Sequence, residues 1–561
     1  MAISDIGVIC GRLVYHFFNK VTQKPMETQK KVLGKLMDLN KDTEYGKKYD
    51  FANIHTLEEY QQKVPMTTFL DYSDYVDRMI AGEKNLITSL KVKRYASSSG
   101  SVGKPKMLPK TGKDLFNMQC MGLCGPMGCV YNYYKRQGKK LGPLRGPLVM
   151  VLTGHKLENG MMSNGAGQIP LSYIKPLTRW FSSTPVEIMY PEHEEKLNIV
   201  YLQLRFALED TKVSFLGSVV VTLLTSMFEY LEENWQLLCD DIEKGTIDPS
   251  VKITPELRKK FEKRLKPNPK RAAELRAEFA NGFDTPIAPR IWPRLKWVYG
   301  MVGSNLTVYL KKLRKWIGDD MPLHNMGYAA AEGFFAMPED MNRMDYVLLP
   351  RSLIYEFLPV DADGEETEDA VPVFMDKLEV GKEYEMIVTN FSGLYRYRLY
   401  DVVKVTGIHN KTPMVEFVYR KNLGMDVSNE KTTTQMLDWT AENMSAKSGV
   451  PFEGHSFFGD YSVKPARYVM LVEPETPVDE AKRQELVALL DESMKEANEK
   501  YDKYRRWALI GDPDVRILKK GAYNAYREML RSRGVVLNQI KPVTVINSKE
   551  REEFFFSQVE L

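Results

Sequence analysis

Between two apolar segments, the stretch Tyr95-Ala-Ser-Ser-Ser-Gly-Ser-Val-Gly-Lys-Pro-Lys106 gathers four serines, two glycines and two lysines. Serine hydroxyls and glycine-exposed backbone N–H groups donate to phosphate oxygens from a concave loop, and lysines add compact positive charge, so this composition suits a polyphosphate. A P-loop requires Gly, four residues, then Gly-Lys-Ser/Thr. Here Gly103-Lys104 is followed by Pro105, and Ser98 stands where the first glycine belongs. The Walker reading fails at both points. A flexible surface loop is the other reading of a lone Ser/Gly-rich run, and residues elsewhere must decide between them.

Two further segments carry candidate chemistry. Gly327-Tyr-Ala-Ala-Ala-Glu-Gly333 sets an aromatic ring four residues before a carboxylate, a pattern that also fits a capped helix start. In Tyr397-Arg-Leu-Tyr-Asp401 a carboxylate ends a strand-like run. Its two oxygens suit it to accept both hydroxyls of a ribose. The cysteines Cys120, Cys124 and Cys129 lack paired Cys-x-x-Cys units and nearby histidines, so zinc is not expected there. The seven histidines show no metal-ligand spacing, and His324 alone lies close to a candidate segment.

These residues need a scaffold of more than one core. The chain has 561 residues, of which 43% are hydrophobic and 27% charged, with a net charge of +4. It therefore reads as a globular protein of two or more domains, with no charge imbalance that calls for nucleic acid. Residues 1–20 carry Asp5 early and a broken apolar run, unlike a secretory signal, and are expected to form an amphipathic helix. No segment reaches the roughly 20 apolar residues that span a bilayer. A cytoplasmic location, no membrane and no nucleic-acid partner, and a monomer are the expectations.

Residues 2–90 read as a helical lead-in, with Val32, Leu33, Leu36 and Met37 at helical spacing. Up to about 345, strand candidates at 147–153, 213–217 and 296–300 alternate with helical stretches, which argues for α/β layers. The charged stretch 256–279, broken at Pro267-Asn-Pro269, reads as a solvated helical pair. From 350 to 420 the texture turns to strands, at 354–358, 384–390, 401–406 and 414–419. After about 425 come a strand at 467–473, one long helix with Leu486, Leu489, Leu490, Met494, Ala497 and Tyr501 on a face, a strand at 515–518 and a final helix. The fold class is thus α/β, with α/β layers, a β-rich part at 350–420 and a compact α+β unit after about 425.

The run Ser98-Ser-Gly-Ser-Val-Gly-Lys-Pro-Lys106 resembles the Ser/Thr-Ser-Gly-Ser/Thr-Thr-Gly-x-Pro-Lys pattern of adenylate-forming enzymes, and Tyr328 and Glu332 match their Tyr-Gly-x-Thr-Glu segment. The segments Leu39-Asn-Lys-Asp-Thr-Glu-Tyr-Gly46, Gly393-Leu-Tyr-Arg-Tyr-Arg-Leu399, Asp401-Val-Val-Lys-Val-Thr-Gly407 and Val418-Tyr-Arg-Lys-Asn422 narrow the resemblance further. Over nearly its whole length the chain resembles the acyl-acid amido synthetases of the Gretchen Hagen family, luciferase-like adenylating ligases known best from plant auxin and jasmonate conjugation. A bacterial member is expected.

The resemblance implies use of ATP and Mg²⁺, and a small carboxylic acid and an amine or amino acid as substrates. It also implies a large N-terminal domain of α/β layers over residues 1–422 with a β-barrel-like part at 350–420, and a small mobile α+β domain over 423–561 that swings about a hinge near Arg420-Lys421-Asn422. It implies that Ser98, Ser99, Gly100, Ser101, Gly103, Lys104 and Lys106 hold phosphates, with Ser99, Lys106 and Lys541 in catalytic roles. Gly303 and Ser304 would lie along the adenosine, with Ala331 and Arg420 beside the nucleotide. Tyr328 would meet the base, Glu332 the metal and Asp401 the ribose, while Lys431 follows the hinge. The segments Gly154-His-Lys-Leu-Glu158, Met161-Met162 and 219–224 are implied to line an acyl pocket, although 219–224 reads equally as a buried helix. Three residues depart from the pattern: Val102 and Ala331 replace hydroxyls, and Tyr400 stands in the place of a glycine. No arginine follows soon after Lys541. An acyl-CoA ligase with the same adenylation step and a non-catalytic nucleotide-binding relative are the alternatives.

Overall fold

The computed structural model describes residues 3–98, 106–150, 154–156, 161–164, 181–191, 197–302, 307–360, 370–421, 424–425, 427, 430, 432–506, 510–533, 540, 542–546 and 548–561. Four sheets organise them. A parallel sheet runs in the order Leu148–Val149, Phe215–Val220, Trp297–Met301, Leu323–Asn325. Parallel strands need long crossovers, and helices supply them: Val221–Lys244 follows the second strand and Thr307–Ile317 the third. With Ile199–Glu209 and Pro269–Ala280 they bury a core that includes Leu204, Phe228, Trp292 and Trp316. The reading of 219–224 as buried helix agrees from Val221 onward, since Val221 and Leu224 have no exposed surface.

The helical pair at 256–279 is present as Pro255–Glu262 and Pro269–Ala280, but it is not wholly solvated. Phe261, Ala272, Leu275 and Phe279 enter the core, and Arg271 is buried with its guanidinium donating to the Leu208 carbonyl at 2.8 Å and the Ile291 carbonyl at 2.7 Å. Apart from Arg271, the charged residues of both helices are exposed or half-buried.

Leu323–Asn325 leads directly into a seven-stranded antiparallel sheet, ordered Ile354–Pro359, Glu383–Thr389, Tyr397–His409, Thr412–Arg420, Tyr346–Leu348, Gly333–Met337, Tyr328–Ala330. The sheet thus begins some twenty residues earlier than the strand texture at 350 suggests. The helical lead-in covers one face of it, where Leu33, Leu36, Tyr45, Tyr60 and Tyr72 meet Tyr355, Met386 and Tyr395. Gln29, buried on that lead-in, donates to the carbonyls of Pro350 and Leu353 and accepts from the Tyr355 N–H, so its own amide is satisfied at the seam.

A third sheet orders Lys106–Thr111, Val92–Ser98, Met162–Asn164 and Gly154–Lys156. Its first two strands form the antiparallel pair that flanks residues 99–105. The last sheet, Phe452–Asp460, Arg467–Pro474 and Asp514–Ile517, buries a core on each face. The helices Thr434–Ser448 and Glu480–Ala497 cover one face, and Ala522–Ser532 and Lys549–Ser557 the other. The expected single long helix is broken at Asn498, yet Tyr501 of the following helix Glu499–Arg506 reaches the same core as Leu486, Leu490 and Met494.

Candidate functional site

Where the parallel sheet hands over to the antiparallel one, Gly327 turns the chain with φ of +126°. A Cβ there would lie 2.7 Å from the Phe334 ring and 2.8 Å from the Ala336 carbonyl oxygen, so only glycine fits. The turn delivers Tyr328 as the first residue of a tight hairpin, Tyr328–Ala330 with Gly333–Met337, whose tip is Ala331-Glu332. A strand, not a capped helix, therefore carries this segment. Glu332 is held by its backbone, because Asn390 Nδ2 donates to the Glu332 carbonyl at 2.8 Å.

Tyr328 is buried among the rings of Phe335, Phe417 and Tyr346, at centroid distances of 5.1, 5.8 and 6.2 Å. Its hydroxyl donates to Asp401 Oδ2 at 2.6 Å. Asp401, 1% exposed, stands directly opposite Arg420 in the register of neighbouring strands. Arg420 Nη2 donates to Asp401 Oδ2 at 3.1 Å and Nε donates to Oδ1. A carboxylate offers about four acceptor positions, and three are taken here. Burial works against the Arg420 charge, but Asp401 outweighs it and raises the guanidinium pKa above its ordinary value. Burial, and then the Asp401 charge, push the Tyr328 phenol well above its usual pKa, so it stays a donor.

The residue before Asp401 sits in the conformation that a glycine would favour. Tyr400 has φ of +61°, in the left-handed region, at a break in register with Glu383–Thr389. Two contacts hold it: its carbonyl accepts from the Lys421 N–H at 2.7 Å, and the Arg398 guanidinium lies 5.1 Å from its ring centroid. Beneath, fully buried Glu385 accepts from Arg398 Nε and Nη2, both at 2.7 Å, and pairs with Lys421 at 3.1 Å. The expected hinge residues Arg420 and Lys421 are thus each tied to a buried carboxylate.

Of the residues expected to act, the structure brings together Tyr328, Asp401 and Arg420, with Ala331 and Glu332 at the adjoining hairpin tip. The strand ends at Ser98 and Lys106 flank the serine-rich loop. Ser99, Gly100, Ser101, Val102, Gly103 and Lys104, as well as Gly303, Ser304, Lys431 and Lys541, lie outside the described residues. So do Leu157 and Glu158 of the expected acyl segment. His324 is fully buried next to Tyr299, with ring centroids 6.1 Å apart, and burial pushes its pKa down to about 3, which keeps it neutral. Among the described residues no group of three or more His, Cys, Asp or Glu is placed to hold a metal, and the cysteines are free thiols.

The positioning residues escape sequence reasoning. Asn325 Nδ2 donates to the Val302 carbonyl and to the Tyr346 hydroxyl, both at 2.7 Å, and its Oδ1 accepts from the Val302 N–H at 3.0 Å. It clamps the residue preceding Gly303-Ser304. Asn390 not only fixes Glu332 but also accepts on Oδ1 from the N–H groups of Ser392 and Leu394. The one available signal was the turn-forming run Asn390-Phe-Ser-Gly393.

Comparison with known proteins agrees with this architecture along the whole chain. Family models match in order: the GH3 family N-terminal domain over residues 14–323, the GH3 family central domain over 346–420 and the GH3 family C-terminal domain over 435–550. The chain is 29% identical over 553 residues to a jasmonoyl–L-amino acid synthetase of Oryza sativa subsp. japonica, covering 94% of each chain. It is 26% identical over 550 residues to an indole-3-acetic acid-amido synthetase of Arabidopsis thaliana, covering 94% of this chain and 90% of the relative. Among solved structures, a GH3.15 acyl acid amido synthetase superposes with a TM-score of 0.83 at 23% identity, over 98% of this chain and 96% of the other. A 2-hydroxyisobutyryl-CoA ligase in its postadenylation state superposes with a TM-score of 0.51 at 11% identity, over 95% and 91%. The fold is that of adenylate-forming enzymes.

Proposed function

The chain belongs to the GH3 family, and on that premise we propose that it is an ATP- and Mg²⁺-dependent ligase that adenylates a small carboxylic acid and passes the acyl group to an amine, an amino acid in the first instance. The relatives named for jasmonoyl and indole-3-acetic acid conjugates make an apolar or aromatic acid the first choice. The observation that carries the reading is the buried Tyr328–Asp401–Arg420 cluster, set beyond the carboxyl ends of a parallel sheet, where open α/β sheets bind nucleotides.

In this reading the acid's carboxylate attacks the α-phosphorus of ATP, pyrophosphate leaves, and the amine displaces AMP from the acyl-adenylate. Each step places charge on oxygen, which prepositioned donors stabilise more in the transition state than in the ground state. The loop donors Ser98, Ser99, Gly100, Ser101, Gly103, Lys104 and Lys106 would hold the phosphates. Gly303-Ser304 and Tyr328 would flank the adenosine, and Asp401, with about one acceptor position left, would take a ribose hydroxyl. Mg²⁺ keeps several waters and binds through one or two carboxylates plus phosphate oxygens, so the Glu332 carboxylate at the hairpin tip suits it and the ion would neutralise phosphate charge. Lys541, brought in by a mobile domain of residues 423–561, would reach the reacting phosphate, and Lys431, in the segment after the hinge, would help bind the nucleotide. That division is supported by the two cores the last sheet buries for itself. Among the described residues no helix is long and apolar enough to cross a membrane, and a cytoplasmic monomer completes the proposal.

The test is ATP–pyrophosphate exchange with a panel of indole-3-acetate, jasmonate, 2,4-DB and benzoate, followed by product analysis with amino acids and CoA offered in parallel. Acid-dependent exchange and an amide product are expected. A thioester product would reassign the acceptor, and Lys541→Ala with undiminished turnover would refute the role given to that lysine.

A further inference from the structure

One buried phenol beside the site has no role in the account above. Tyr397 opens the strand Tyr397–His409 and is 2% exposed. A buried tyrosine ordinarily places its hydroxyl on an acceptor. Tyrosines packed in the same core do so: Tyr355 donates to the Phe335 carbonyl at 2.8 Å, Tyr395 to the Ile87 carbonyl at 2.8 Å and Tyr72 to the Tyr395 carbonyl at 3.1 Å. Among the described residues no such partner reaches the Tyr397 hydroxyl, and the small exposed part of the side chain leaves its oxygen accessible. A donor left unused inside a core needs a reason.

Strand pairing decides which way it faces. Tyr397 stands opposite Val388, and Arg398 opposite Ile387. Arg398 points to the face where its guanidinium meets buried Glu385. By alternation Tyr397 points to the other face, into the core that also holds Tyr328 and Phe335. Val388 lies two residues before Asn390, whose amide reaches the Glu332 carbonyl at 2.8 Å, so this end of the sheet leads to the hairpin tip. The backbone is held on its second side too. The Thr67 N–H donates to the Arg396 carbonyl and the Arg398 N–H to the Thr67 carbonyl, both at 2.9 Å.

Two charged groups of the site bear on the hydroxyl. After burial, the Glu332 carboxylate acts most strongly, and the Arg420 guanidinium follows in the opposite sense. Burial and Glu332 together push the phenol above its ordinary pKa, so at neutral pH it is a hydrogen-bond donor. Arg420 is itself bound to Asp401. Tyr397 is thus bracketed by the carboxylate proposed for Mg²⁺ and the one proposed for the ribose. In ATP the group that lies between the ribose and the outer phosphates is the α-phosphate.

We propose that the Tyr397 hydroxyl donates to a non-bridging oxygen of the α-phosphate and is a further catalytic residue for adenylation. The inference rests on the ligase reading. As the acid's carboxylate oxygen bonds to the α-phosphorus, the bond to the pyrophosphate oxygen breaks and its electron pair leaves with pyrophosphate. The phenol keeps its proton and stabilises charge on the oxygen that stays behind, first in the transition state and then in the acyl-adenylate. The substrate is the acceptor that the fold itself does not provide.

The experiment compares wild type with Tyr397→Phe in ATP–pyrophosphate exchange with indole-3-acetate, jasmonate, 2,4-DB and benzoate, in calorimetric titration with AMP and with adenosine, and in thermal unfolding. Loss of one hydrogen bond to a charged oxygen predicts kcat/KM for ATP lowered roughly 10- to 100-fold and AMP bound roughly 10-fold more weakly, with adenosine binding unchanged. Thermal stability of Tyr397→Phe should equal or exceed that of wild type, because the hydroxyl removed has no partner in the fold. Undiminished exchange, AMP and adenosine affinities that stay unchanged or fall alike, or a marked fall in stability would each overturn the contact while leaving the ligase reading intact. Absence of acid-dependent exchange in the wild type would overturn the ligase reading, and the catalytic role with it.

Discussion

Asp401→Asn isolates what the buried cluster is worth. The carboxylate is 1% exposed and accepts three hydrogen bonds, from the Tyr328 hydroxyl at 2.6 Å and from Arg420 Nη2 at 3.1 Å and Nε. Asparagine keeps the shape and one oxygen, but its amide presents a donor to a guanidinium that also donates. One charge-assisted bond is lost, and an amide N–H is buried without an acceptor, at about 1–3 kcal/mol for each such loss. The Arg420 side chain is 33% exposed, so water can take over part of its need. The expected destabilisation is therefore about 3 kcal/mol, read by urea unfolding at neutral pH. Tyr328→Phe removes one of the same bonds and should cost about 1.5–3 kcal/mol. Because both changes act on one carboxylate, the double variant should fall short of the sum by about 1 kcal/mol or more. ATP binding should weaken in Asp401→Asn beyond what the Tyr328→Phe variant shows. A loss below about 1 kcal/mol for Asp401→Asn, or strict additivity of the pair, would refute Asp401 as the shared acceptor.

Three further outcomes follow from single positions. Gly327→Ala places a Cβ against the Phe334 ring and the Ala336 carbonyl at a φ of +126°, so it should cost about 2 kcal/mol or more in unfolding experiments and weaken ATP binding through Tyr328. At Tyr400, where φ is +61°, the usual strand order should invert: Tyr400→Gly should be more stable than Tyr400→Ala by about 1 kcal/mol, whereas in an ordinary strand Ala is the better residue. For Lys113, burial, and then Lys35, push the ammonium pKa down to about 7, with the Phe391 ring centroid 3.1 Å from Nζ. The folded state then sheds this proton before the unfolded chain does, so the residue's destabilising effect is full below pH 7 and fades as pH rises toward the ordinary lysine range. Stability measured from pH 7 to 10 should rise in wild type, and Lys113→Met should flatten that rise; an unchanged slope would refute the assignment.

How much of this was legible depended on periodicity. The lead-in helices were readable because Val32, Leu33, Leu36 and Met37 all face one core, and the strands at 354–359 and 383–389 because β-branched and aromatic residues run between turn residues. The strands Tyr328–Ala330, Gly333–Met337 and Tyr346–Leu348 were not. They are three to five residues long, and Gly333–Met337 and Tyr346–Leu348 are buried throughout, so no alternation betrays them. Phe452–Asp460 was missed for the opposite reason, since Gly454, His455, Gly459 and Asp460 give it the texture of a loop. Its place is fixed by pairing with Arg467–Pro474, a tertiary fact. The site residues divide likewise. Asp401 and Tyr328 stand in recognisable runs, but Asn325 and Asn390 matter only through what lies across from them.

The contact between Tyr328 and Asp401 itself constrains the sheet. Tyr328 lies on the edge strand, and four strand-to-strand steps separate it from Tyr397–His409. At about 4.8 Å per step, a flat sheet would hold the two backbones about 19 Å apart, roughly twice what a tyrosine and an aspartate side chain can bridge. They nevertheless meet at 2.6 Å. The sheet must therefore curl until its edge returns over its middle. Register breaks in three of its strand pairs, between Phe334 and Ala336, between Glu385 and Ile387, and at two points along Tyr397–His409, supply the bending that bulges give. The left-handed Tyr400 sits in one of those breaks, immediately before the carboxylate. Strain at residue 400 and the reach of Tyr328 are thus two sides of one requirement: the sheet bends there so that strands distant in order can hold one buried carboxylate between them. Relaxing the bend should therefore weaken the Tyr328–Asp401 bond before it disturbs the cross-strand Asp401–Arg420 pair, which needs only its immediate neighbour.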